Sequence, residues 1–301
     1  MADPDRWQHR DGVYFATNEV ETSDLMKPGM YDPGVTQEGR IYFSPVDQRN
    51  DALLRFPNSI STKIVDEISL FWERERAFRD HDIPFKRGIL LHGPPGSGKS
   101  STLRQITQDV IEHGGVVMQF ANPRVFVDAF RVFRMIQSDT PVVVTMEDLD
   151  TILERGNESY IMNMLDGIEL VEKVVFLATT NYPEKLSARI GNRPSRFDRL
   201  YFIGHPNQPA RRMYLESLLL PGDDVDLDQW ARDTKGLSIA HLKELFVGVV
   251  VLGGEYAEVL KLMKGMKQIP KSTDEGYDDE DEVLVINTPM GPMATLRRGY
   301  A

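Results

Sequence analysis

The segment Gly93-Pro94-Pro95-Gly96-Ser97-Gly98-Lys99-Ser100 decides which fold this chain is predicted to adopt. It fits the pattern G-x-x-x-x-G-K-[ST] at every fixed position, and the short apolar run Gly88–His92 precedes it. The residues after it can form a helix with one apolar face, made by Leu103, Ile106 and Val110. A strand, a glycine-rich loop and a helix in this order are typical of a phosphate-binding loop.

Each residue type in the loop has a chemical reason. Glycines let consecutive backbone N–H groups turn inward around a polyphosphate, and the N-terminus of the next helix adds positive potential. Lys99 would place a charge on the β- and γ-phosphates, and the Ser100 hydroxyl would be a ligand of Mg²⁺. The alternative is a Gly/Pro turn that happens to contain a lysine. The residues predicted to contact ATP or GTP are Gly93, Pro94, Pro95, Gly96, Ser97, Gly98, Lys99, Ser100 and Ser101.

Composition limits the possible functions. The 301 residues carry a formal net charge of −11 without a long basic run, which disfavours nucleic-acid binding through a positive surface. A local basic channel in an assembly remains open. The absence of cysteine excludes disulfides and thiolate metal sites and suits a reducing compartment. The polar N-terminus and the lack of a long apolar stretch predict a soluble, cytoplasmic protein without a membrane span.

The chain is predicted to divide into four parts. Residues 1–58 combine recurring glycine and proline with short β-leaning pieces, and we expect a small β-containing appendage that packs on the main domain or on a neighbouring subunit. In residues 59–205, apolar strands alternate with helices, which indicates an α/β domain with a parallel sheet covered on both faces. Residues 206–269 read as a small helical domain, and residues 270–301 as an acidic linker and tail.

Two acids follow the apolar strand Pro141–Met146, namely Glu147 and Asp148. Acids at the carboxyl end of a parallel strand beside the phosphate loop lie where Mg²⁺ and the γ-phosphate would be. One acid is expected to hold the metal and the next to polarise an attacking water. Asp150 is the weaker candidate and is expected to position the loop. The alternative is a cluster of acids that caps a helix.

Polar residues also follow the next two strands. Asn181 ends the strand that contains Phe176, and it could orient a water between the acids and the γ-phosphate, although such a residue alone is usually part of a turn. Arg193 and Arg196 precede the last strand. An arginine offered to a neighbour's γ-phosphate would make hydrolysis depend on assembly. The alternative is that these arginines hold Asp198 and the acidic surface.

The order of these motifs resembles that of AAA-type ATPases of the AAA+ superfamily, over about residues 59 to 268. The motifs are the phosphate loop, the acidic strand, Thr179-Thr180-Asn181, the run Arg193–Arg199 and the helical domain. The run Ile83–Gly93 and the Glu-Asp order at 147–148 look most like the group that contains the mitochondrial Rieske-protein translocase. The resemblance implies a doubly wound phosphate-loop NTPase core with a small helical lid, and ATP with Mg²⁺ as the ligand.

The resemblance also implies roles for individual residues. Ser100 and Glu147 would hold the metal, Asp148 would be the catalytic base, and Asn181 would be the first sensor. Arg193 and Arg196 match the arginine fingers, and the lid segment Gly236–Ala240 would place Ile239 and Ala240 near the base and ribose. Most AAA proteins have Asp-Glu where this chain has Glu-Asp, so the shorter acid at 148 would need a shifted backbone or a second residue to reach water.

A further departure concerns substrate handling. Many AAA unfoldases carry an aromatic-apolar-Gly pore loop at the position where this chain reads Ala121–Phe126, so threading by aromatic side chains is not supported. The resemblance implies an ATP-hydrolysing ring, a hexamer or heptamer, that remodels, translocates or disassembles a protein partner. A nucleotide-dependent assembly or scaffold protein with slow hydrolysis is the first alternative. A nucleic-acid motor or loader with a pore-facing Arg124 is the second.

Overall fold

The computed structural model describes residues 6–10, 12–17, 23–47, 60–120, 122–154, 158–166, 172–186, 196–265 and 284–285. The strands are β1 (Arg6–Arg10), β2 (Val13–Thr17), β3 (Gly29–Val35), β4 (Ile41–Pro45), β5 (Lys86–His92), β6 (Val116–Gln119), β7 (Val142–Met146), β8 (Val174–Thr180), β9 (Arg199–Phe202) and β10 (Leu284–Val285). The helices are α1 (Ile60–Glu73), α2 (Glu75–Asp80), α3 (Lys99–Glu112), α4 (Pro123–Ile136), α5 (Leu149–Ile152), α6 (Glu158–Asp166), α7 (Gln208–Glu216), α8 (Leu227–Asp233), α9 (Ile239–Phe246) and α10 (Tyr256–Gly265).

All ten described strands belong to one sheet, in the order β1-β2-β4-β3-β6-β7-β8-β5-β9-β10. The six strands from β3 to β9 in this order are parallel, which confirms the predicted parallel sheet. Every residue of β7 and β8 is buried, since both faces of the sheet are covered. The carboxyl ends of β5, β7 and β8 meet at one edge, where the phosphate loop and the acids follow.

The two faces of the sheet form separate cores. On one face, Phe126, Phe130 and Phe133 of α4 pack with α6 and with alternate strand residues such as Val144. On the other face, the predicted apolar stripe of α3 packs with α1 and with the opposite strand positions, for example Val143. The alternation of side chains along each strand sends neighbouring residues to opposite cores. Helix α3 is thereby held against the sheet, and its first residue is Lys99.

The predicted β-containing N-terminal segment is confirmed, and its strands extend the central sheet. Strands β1, β2, β4 and β3 pair in antiparallel fashion, and β3 then pairs in parallel with β6. Trp7 is fully buried, and its indole N–H donates to Oε1 of Gln137 at 3.0 Å, next to α4. Of the two predicted contacts, the segment makes the one with the main domain. Residues 48–59, where the predicted boundary falls, lie outside the described residues.

The helical segment between Ile60 and Asp80 is interrupted at one residue. Arg74 leaves the helical conformation, with φ of −103° and ψ of 11°, between α1 and α2. This turn brings Phe78 back to the ring of Phe71, at a centroid distance of 5.5 Å, and to that of Phe85, at 5.3 Å. Packing of these rings therefore outweighs the continuation of the helix.

The predicted C-terminal helical region contains α7 to α10, which have a core of their own around Leu215, Trp230 and Leu242. The third of them continues into a π-helix, Val247–Val251. The two described residues of the tail, Leu284 and Val285, pair antiparallel with β9. Within the described ranges, no helix combines the length and apolar character needed to cross a membrane.

Candidate functional site

The phosphate loop closes tightly between β5 and α3. Gly93 has φ of 151°, and a Cβ placed on it would lie 2.1 Å from the carbonyl oxygen of Ile203. Gly96 has φ of 74°, and a Cβ there would lie 2.8 Å from Oγ of Ser238. Both positions therefore require glycine for conformation and for space. The loop can approach a ligand with its backbone because no side chain intervenes there.

Lys99 is a buried cation without a buried anion bonded to it among the described contacts. Its side chain is 6% exposed, and Nζ donates to the carbonyl oxygens of Gly93 at 2.7 Å and Pro94 at 2.8 Å. Burial lowers its pKa to about 8, and the negative charges of Asp148 and Asp150 partly oppose that shift. An anionic phosphate would supply the charge that this ammonium group lacks.

Ser97 provides a second sign of a missing ligand. Ser97 is 7% exposed, and among the described residues its Oγ has no hydrogen-bond partner. Buried hydroxyl groups in folded proteins are nearly always paired, so an orphan one in a glycine-rich loop is informative. A polyphosphate, with several acceptor oxygens, fits both this hydroxyl and the ammonium group of Lys99.

The acids Glu147 and Asp148 are exposed at the carboxyl end of β7. Asp148 adopts a left-handed conformation, with φ of 50° and ψ of 57°. Its backbone N–H donates to Oγ1 of Thr179 at 3.1 Å, and Nδ2 of Asn181 donates to its Oδ1 at 3.3 Å. The side chain of Asp148 makes no capping hydrogen bond to α5, although the helix begins at the next residue. The Asp148 carboxylate is therefore not used to cap this helix.

Asp150 is hydrogen-bonded to the end of the neighbouring strand, and its role in positioning the loop stays a prediction. The residue is 6% exposed, and its Oδ1 accepts a hydrogen bond of 2.7 Å from Oγ1 of Thr180. Oγ1 of Thr180 in turn accepts from the backbone N–H of Tyr182 at 3.0 Å. Thr179 and Thr180 were not assigned roles by the sequence reasoning. The available signal was that two hydroxyl residues end an otherwise apolar strand.

Of the two candidate arginines, the structure describes Arg196. Arg193 lies outside the described residues. Arg196 is 5% exposed, and its carbonyl oxygen lies 1.9 Å from the position that a Cβ on Gly88 would take. Gly88 belongs to the amino-terminal half of β5, whereas the loop follows the carboxyl end of that strand. In the single chain the Arg196 side chain is thus enclosed.

Asp198 fastens this segment to β5. Its Oδ2 accepts from the backbone N–H of Gly88 at 2.8 Å, and its own N–H donates to the Gly88 carbonyl at 2.8 Å. Burial raises the pKa of the Asp198 carboxyl group, while the hydrogen bond from Gly88 and nearby cations, Arg87 first, lower it. In the alternative interpretation of the sequence, Arg193 and Arg196 would hold this carboxylate. The structure gives it a backbone partner that sequence reasoning did not identify.

The predicted lid segment lies next to the phosphate loop. Oγ of Ser238 accepts from the backbone N–H of His241 at 3.3 Å and so caps α9. The Cβ atom of Ala240 is 3.7 Å from the position that a Cβ on Gly96 would take. Ile239 is partly buried and Ala240 is exposed. Contact of these two residues with a base or ribose stays a prediction.

The donor set suits Mg²⁺ rather than a metal held by protein ligands alone. Among the described residues, no group of three or more His, Cys, Asp and Glu is placed to hold a metal ion. Mg²⁺ is usually bound by one or two carboxylates together with phosphates and water. The Ser100 hydroxyl and the Glu147 carboxylate are hard oxygen donors of that kind, and they would hold the ion.

The segment Ala121–Phe126, at the predicted pore-loop position, contains one aromatic residue, Phe126. It is 1% exposed and packs between Phe120, at 5.0 Å, and Phe130, at 5.9 Å. Ala121 and the side chain of Arg124 lie outside the described part of the chain. Phe126 is therefore a core residue, and the lack of an aromatic pore loop stays a prediction from the sequence.

Comparison with known proteins matches residues 89–205 to the family described as "ATPase family associated with various cellular activities (AAA)". The chain is 32% identical over 179 residues to "ATPase family gene 2 protein" of Schizosaccharomyces pombe, covering 53% of this chain and 22% of that protein. It is 29% identical over 250 residues to "ATP-dependent zinc metalloprotease FtsH 2" of Salinibacter ruber, covering 72% and 36%. It is 28% identical over 272 residues to "Probable mitochondrial chaperone bcs1" of Schizosaccharomyces pombe, covering 84% and 58%. The chain thus spans between 22% and 58% of the length of these relatives.

Proposed function

We propose that this chain, which belongs to the AAA ATPase family through residues 89–205, hydrolyses ATP to ADP and phosphate. The observation that carries the proposal is that the carboxyl ends of β5, β7 and β8 lie side by side at one edge of the sheet. The ammonium group of Lys99 lies within the electrostatic influence of Asp148, and Asp148 is hydrogen-bonded to Asn181. A buried cation, an exposed carboxylate and an amide at one edge can bind a phosphate and activate water beside it.

The residues around the nucleotide divide the work in the proposed reaction. Lys99 would bind the β- and γ-phosphates, and the loop N–H groups would bind the remaining phosphate oxygens. Ser100 and Glu147 would hold Mg²⁺, and the bound ion would neutralise negative charge on the phosphates. Asp148 would accept a proton from the attacking water, and the amide of Asn181 would orient both that water and the carboxylate.

We further propose that the chain acts in a ring, a hexamer or heptamer, on a protein partner. The support for the ring is the sequence position of Arg193 and Arg196, which follow β8 and Asn181 in the order found in AAA-type ATPases. Arg193 and Arg196 of one copy would then complete the site of the next. Protein remodelling follows from the names of relatives, one called a chaperone and another a metalloprotease. The cytoplasmic location predicted from the sequence also stands as a proposal, to be tested by imaging a tagged chain.

Steady-state turnover of Mg²⁺-ATP at increasing protein concentration tests the proposal. We expect turnover per chain to rise as the ring assembles, and Lys99→Ala and Asp148→Asn to lower it by about 100-fold or more. Asp128→Asn is the matched control, because Asp128 is exposed on α4 and pairs with Arg131. Nucleotide binding without turnover in the wild-type chain would contradict the proposed hydrolysis.

A second function, slow hydrolysis in a nucleotide-dependent assembly, is favoured by one observation. The Arg196 side chain is 5% exposed, so it is not presented to a neighbour in this conformation. A chain that keeps this arginine enclosed would bind ATP and assemble without fast turnover. Electron microscopy with ATP separates the two functions, since rings with negligible turnover support the assembly protein. Stimulation of turnover by DNA or RNA would instead support the nucleic-acid alternative.

A further inference from the structure

Asp148 combines an unusual backbone with a position at the candidate site. Among the described residues, the non-glycine residues with positive φ are Asp82, Asp148 and Lys173. Only a few residue types adopt the left-handed conformation readily, chiefly Gly, Asn and Asp, because a short polar side chain can bond locally. Glutamate is not among them. Of the two acidic residue types, aspartate is therefore the one that the backbone conformation at position 148 favours.

The left-handed conformation is fixed from the neighbouring strand. Thr179 is 2% exposed in β8, and its Oγ1 accepts the backbone N–H of Asp148 at 3.1 Å. The Asp148 carbonyl accepts from the N–H groups of Thr151 at 2.9 Å and Ile152 at 3.2 Å, where α5 starts. Both backbone polar groups of Asp148 are thus bonded, one to β8 and one to α5. A residue held on both sides cannot relax to an ordinary conformation without breaking one of these bonds.

This arrangement leaves the side-chain carboxylate of Asp148 available to act on a ligand or a water molecule. It makes no capping bond to α5, and its Oδ1 accepts from Nδ2 of Asn181. The hydroxyl of Thr179 and the amide of Asn181 both come from the end of β8, two residues apart. One orients the backbone of Asp148 and the other orients its side chain.

We propose that Thr179 is a positioning residue for Asp148, and that the Glu-Asp order at 147–148 is a consequence of the left-handed backbone that Thr179 holds. The shift of the backbone takes the place of the methylene group that a glutamate would have supplied. Lengthening residue 148 to glutamate would both strain the backbone and displace the carboxylate. The inference rests on the proposed function, since it takes Asp148 as the base for ATP hydrolysis.

Turnover of Mg²⁺-ATP by four variants of the full chain tests the inference. Thr179→Val keeps the shape and removes the acceptor, and we expect kcat to fall by about tenfold or more with KM changed less than about twofold. Thr179→Ser keeps the acceptor and should stay within about threefold of the wild type. Asp148→Glu, alone or combined with Glu147→Asp, should lose about tenfold or more, although every carboxylate is present.

Thr145→Val is the matched control for Thr179→Val. Thr145 is 1% exposed in the adjacent strand β7, and its Oγ1 has no hydrogen-bond partner in the part of the chain that the structure describes. The same isosteric change there removes no bond, so kcat should stay at the wild-type value. Wild-type kcat in Thr179→Val, or in Asp148→Glu, would overturn the inference while leaving the proposed hydrolysis intact. A wild-type chain without turnover would instead overturn the proposed function.

Amide hydrogen exchange gives a readout that does not depend on turnover. Peptides that cover Asp148 should exchange about tenfold faster or more in Thr179→Val than in the wild type, because the Asp148 N–H loses its acceptor. Thr145→Val should leave that exchange unchanged. Equal exchange in Thr179→Val and the wild type would overturn the inference even if no ATP were hydrolysed. Circular dichroism of each variant shows whether a change in exchange is local or reflects unfolding.

Discussion

The side-chain amide of Asn181 donates a hydrogen bond of 3.3 Å to Oδ1 of Asp148, across the carboxyl ends of two adjacent strands. The two residues are 33 positions apart in the chain. Their contact exists because β7 and β8 are parallel neighbours, whose polar ends meet at one edge. This hydrogen bond links a proposed base to a proposed sensor.

The first prediction is that Asn181 and Asp148 act as one unit. Asn181→Ala should lower kcat by about tenfold with little change in KM, because the amide orients the carboxylate rather than binding ATP. Asp148→Ala should lower kcat further, and the double variant should be no slower than Asp148→Ala alone. Asn163→Ala, at an exposed position of α6, is the control. Additive losses in the double variant would show that the two side chains act independently.

A second prediction concerns the buried ammonium group of Lys99. Its pKa is lowered from 10.5 to about 8, chiefly by burial, so the folded chain disfavours the charged form. Lys99→Met should abolish nucleotide binding and yet raise the free energy of unfolding at pH 7, by up to roughly 3 kcal/mol for a shift of this size. Equal or lower stability of the methionine variant at pH 7 would contradict this.

The pH dependence of that difference provides the control for Lys99. Below pH 8 the lysine is charged in both states and the wild-type chain carries the full penalty. As the pH rises from 8 towards 10.5, the folded chain loses the proton before the unfolded chain does, and its relative stability increases. Urea unfolding of both proteins should therefore show a gap that narrows over this range. A gap that stays constant would mean that the lysine is not the titrating group.

Local sequence patterns indicate the candidate site, whereas the contacts that position its residues join distant parts of the chain. The phosphate loop and the acids are local patterns, so Lys99 and Asp148 could be identified from short stretches of chain. The partners that fix them are distant, and Thr179 looked like an ordinary strand residue until β7 and β8 were paired. The contact of Asp198 with Gly88 joins positions 110 residues apart and leaves no local signal beyond the glycine itself.

Strand β3 shows why part of the sheet escaped prediction. Its sequence, Gly29-Met30-Tyr31-Asp32-Pro33-Gly34-Val35, contains two glycines and a proline and reads as a turn. Pairing with β6 involves only the stretch Gly29–Tyr31, so Pro33 lies beyond the last paired residue on that side. A proline without an N–H is tolerated there because no ladder bond is missing. Tertiary pairing thus decides a strand that local propensity does not favour.

A third prediction follows from the close approach at Gly88. A Cβ on this residue would lie 1.9 Å from the Arg196 carbonyl oxygen, which belongs to backbone and cannot rotate away. Gly88→Ala should therefore destabilise the chain by about 3 kcal/mol, as overpacking does in cores, and weaken both hydrogen bonds to Asp198. Thermal unfolding measures the loss.

Gly265→Ala is the matched control for Gly88→Ala. Gly265 ends α10 with open space around the position of a Cβ, and its φ is not positive. Alanine there should be neutral or stabilise by up to about 1 kcal/mol, since it has the higher helix propensity. If Gly88→Ala were as stable as Gly265→Ala, the segment around Arg196 would have to be free to move away from β5.

The last prediction is that the N-terminal strands unfold together with the ATPase core. Oε1 of Gln137 accepts from the Trp7 indole at 3.0 Å and from the Met26 N–H at 2.7 Å, and Gln137 is 4% exposed. Gln137→Ala would leave two buried donors unpaired, which should cost about 2–4 kcal/mol. Gln108→Ala is the control, because Gln108 is exposed on α3 and bonds only to Glu112 among the described contacts, and it should stay within about 0.5 kcal/mol.

Tryptophan fluorescence can separate a shared sheet from an appendage. The chain has three tryptophans, and the Trp72→Phe/Trp230→Phe variant leaves Trp7 as the reporter of the N-terminal strands. If the pairing of β3 with β6 makes the N-terminal strands and the core unfold as one cooperative unit, the Trp7 fluorescence and the far-ultraviolet circular dichroism should change at the same urea concentration. In Gln137→Ala both transitions should move together to lower urea. A Trp7 transition that precedes the loss of helix would show that residues 1–58 unfold as a separate unit.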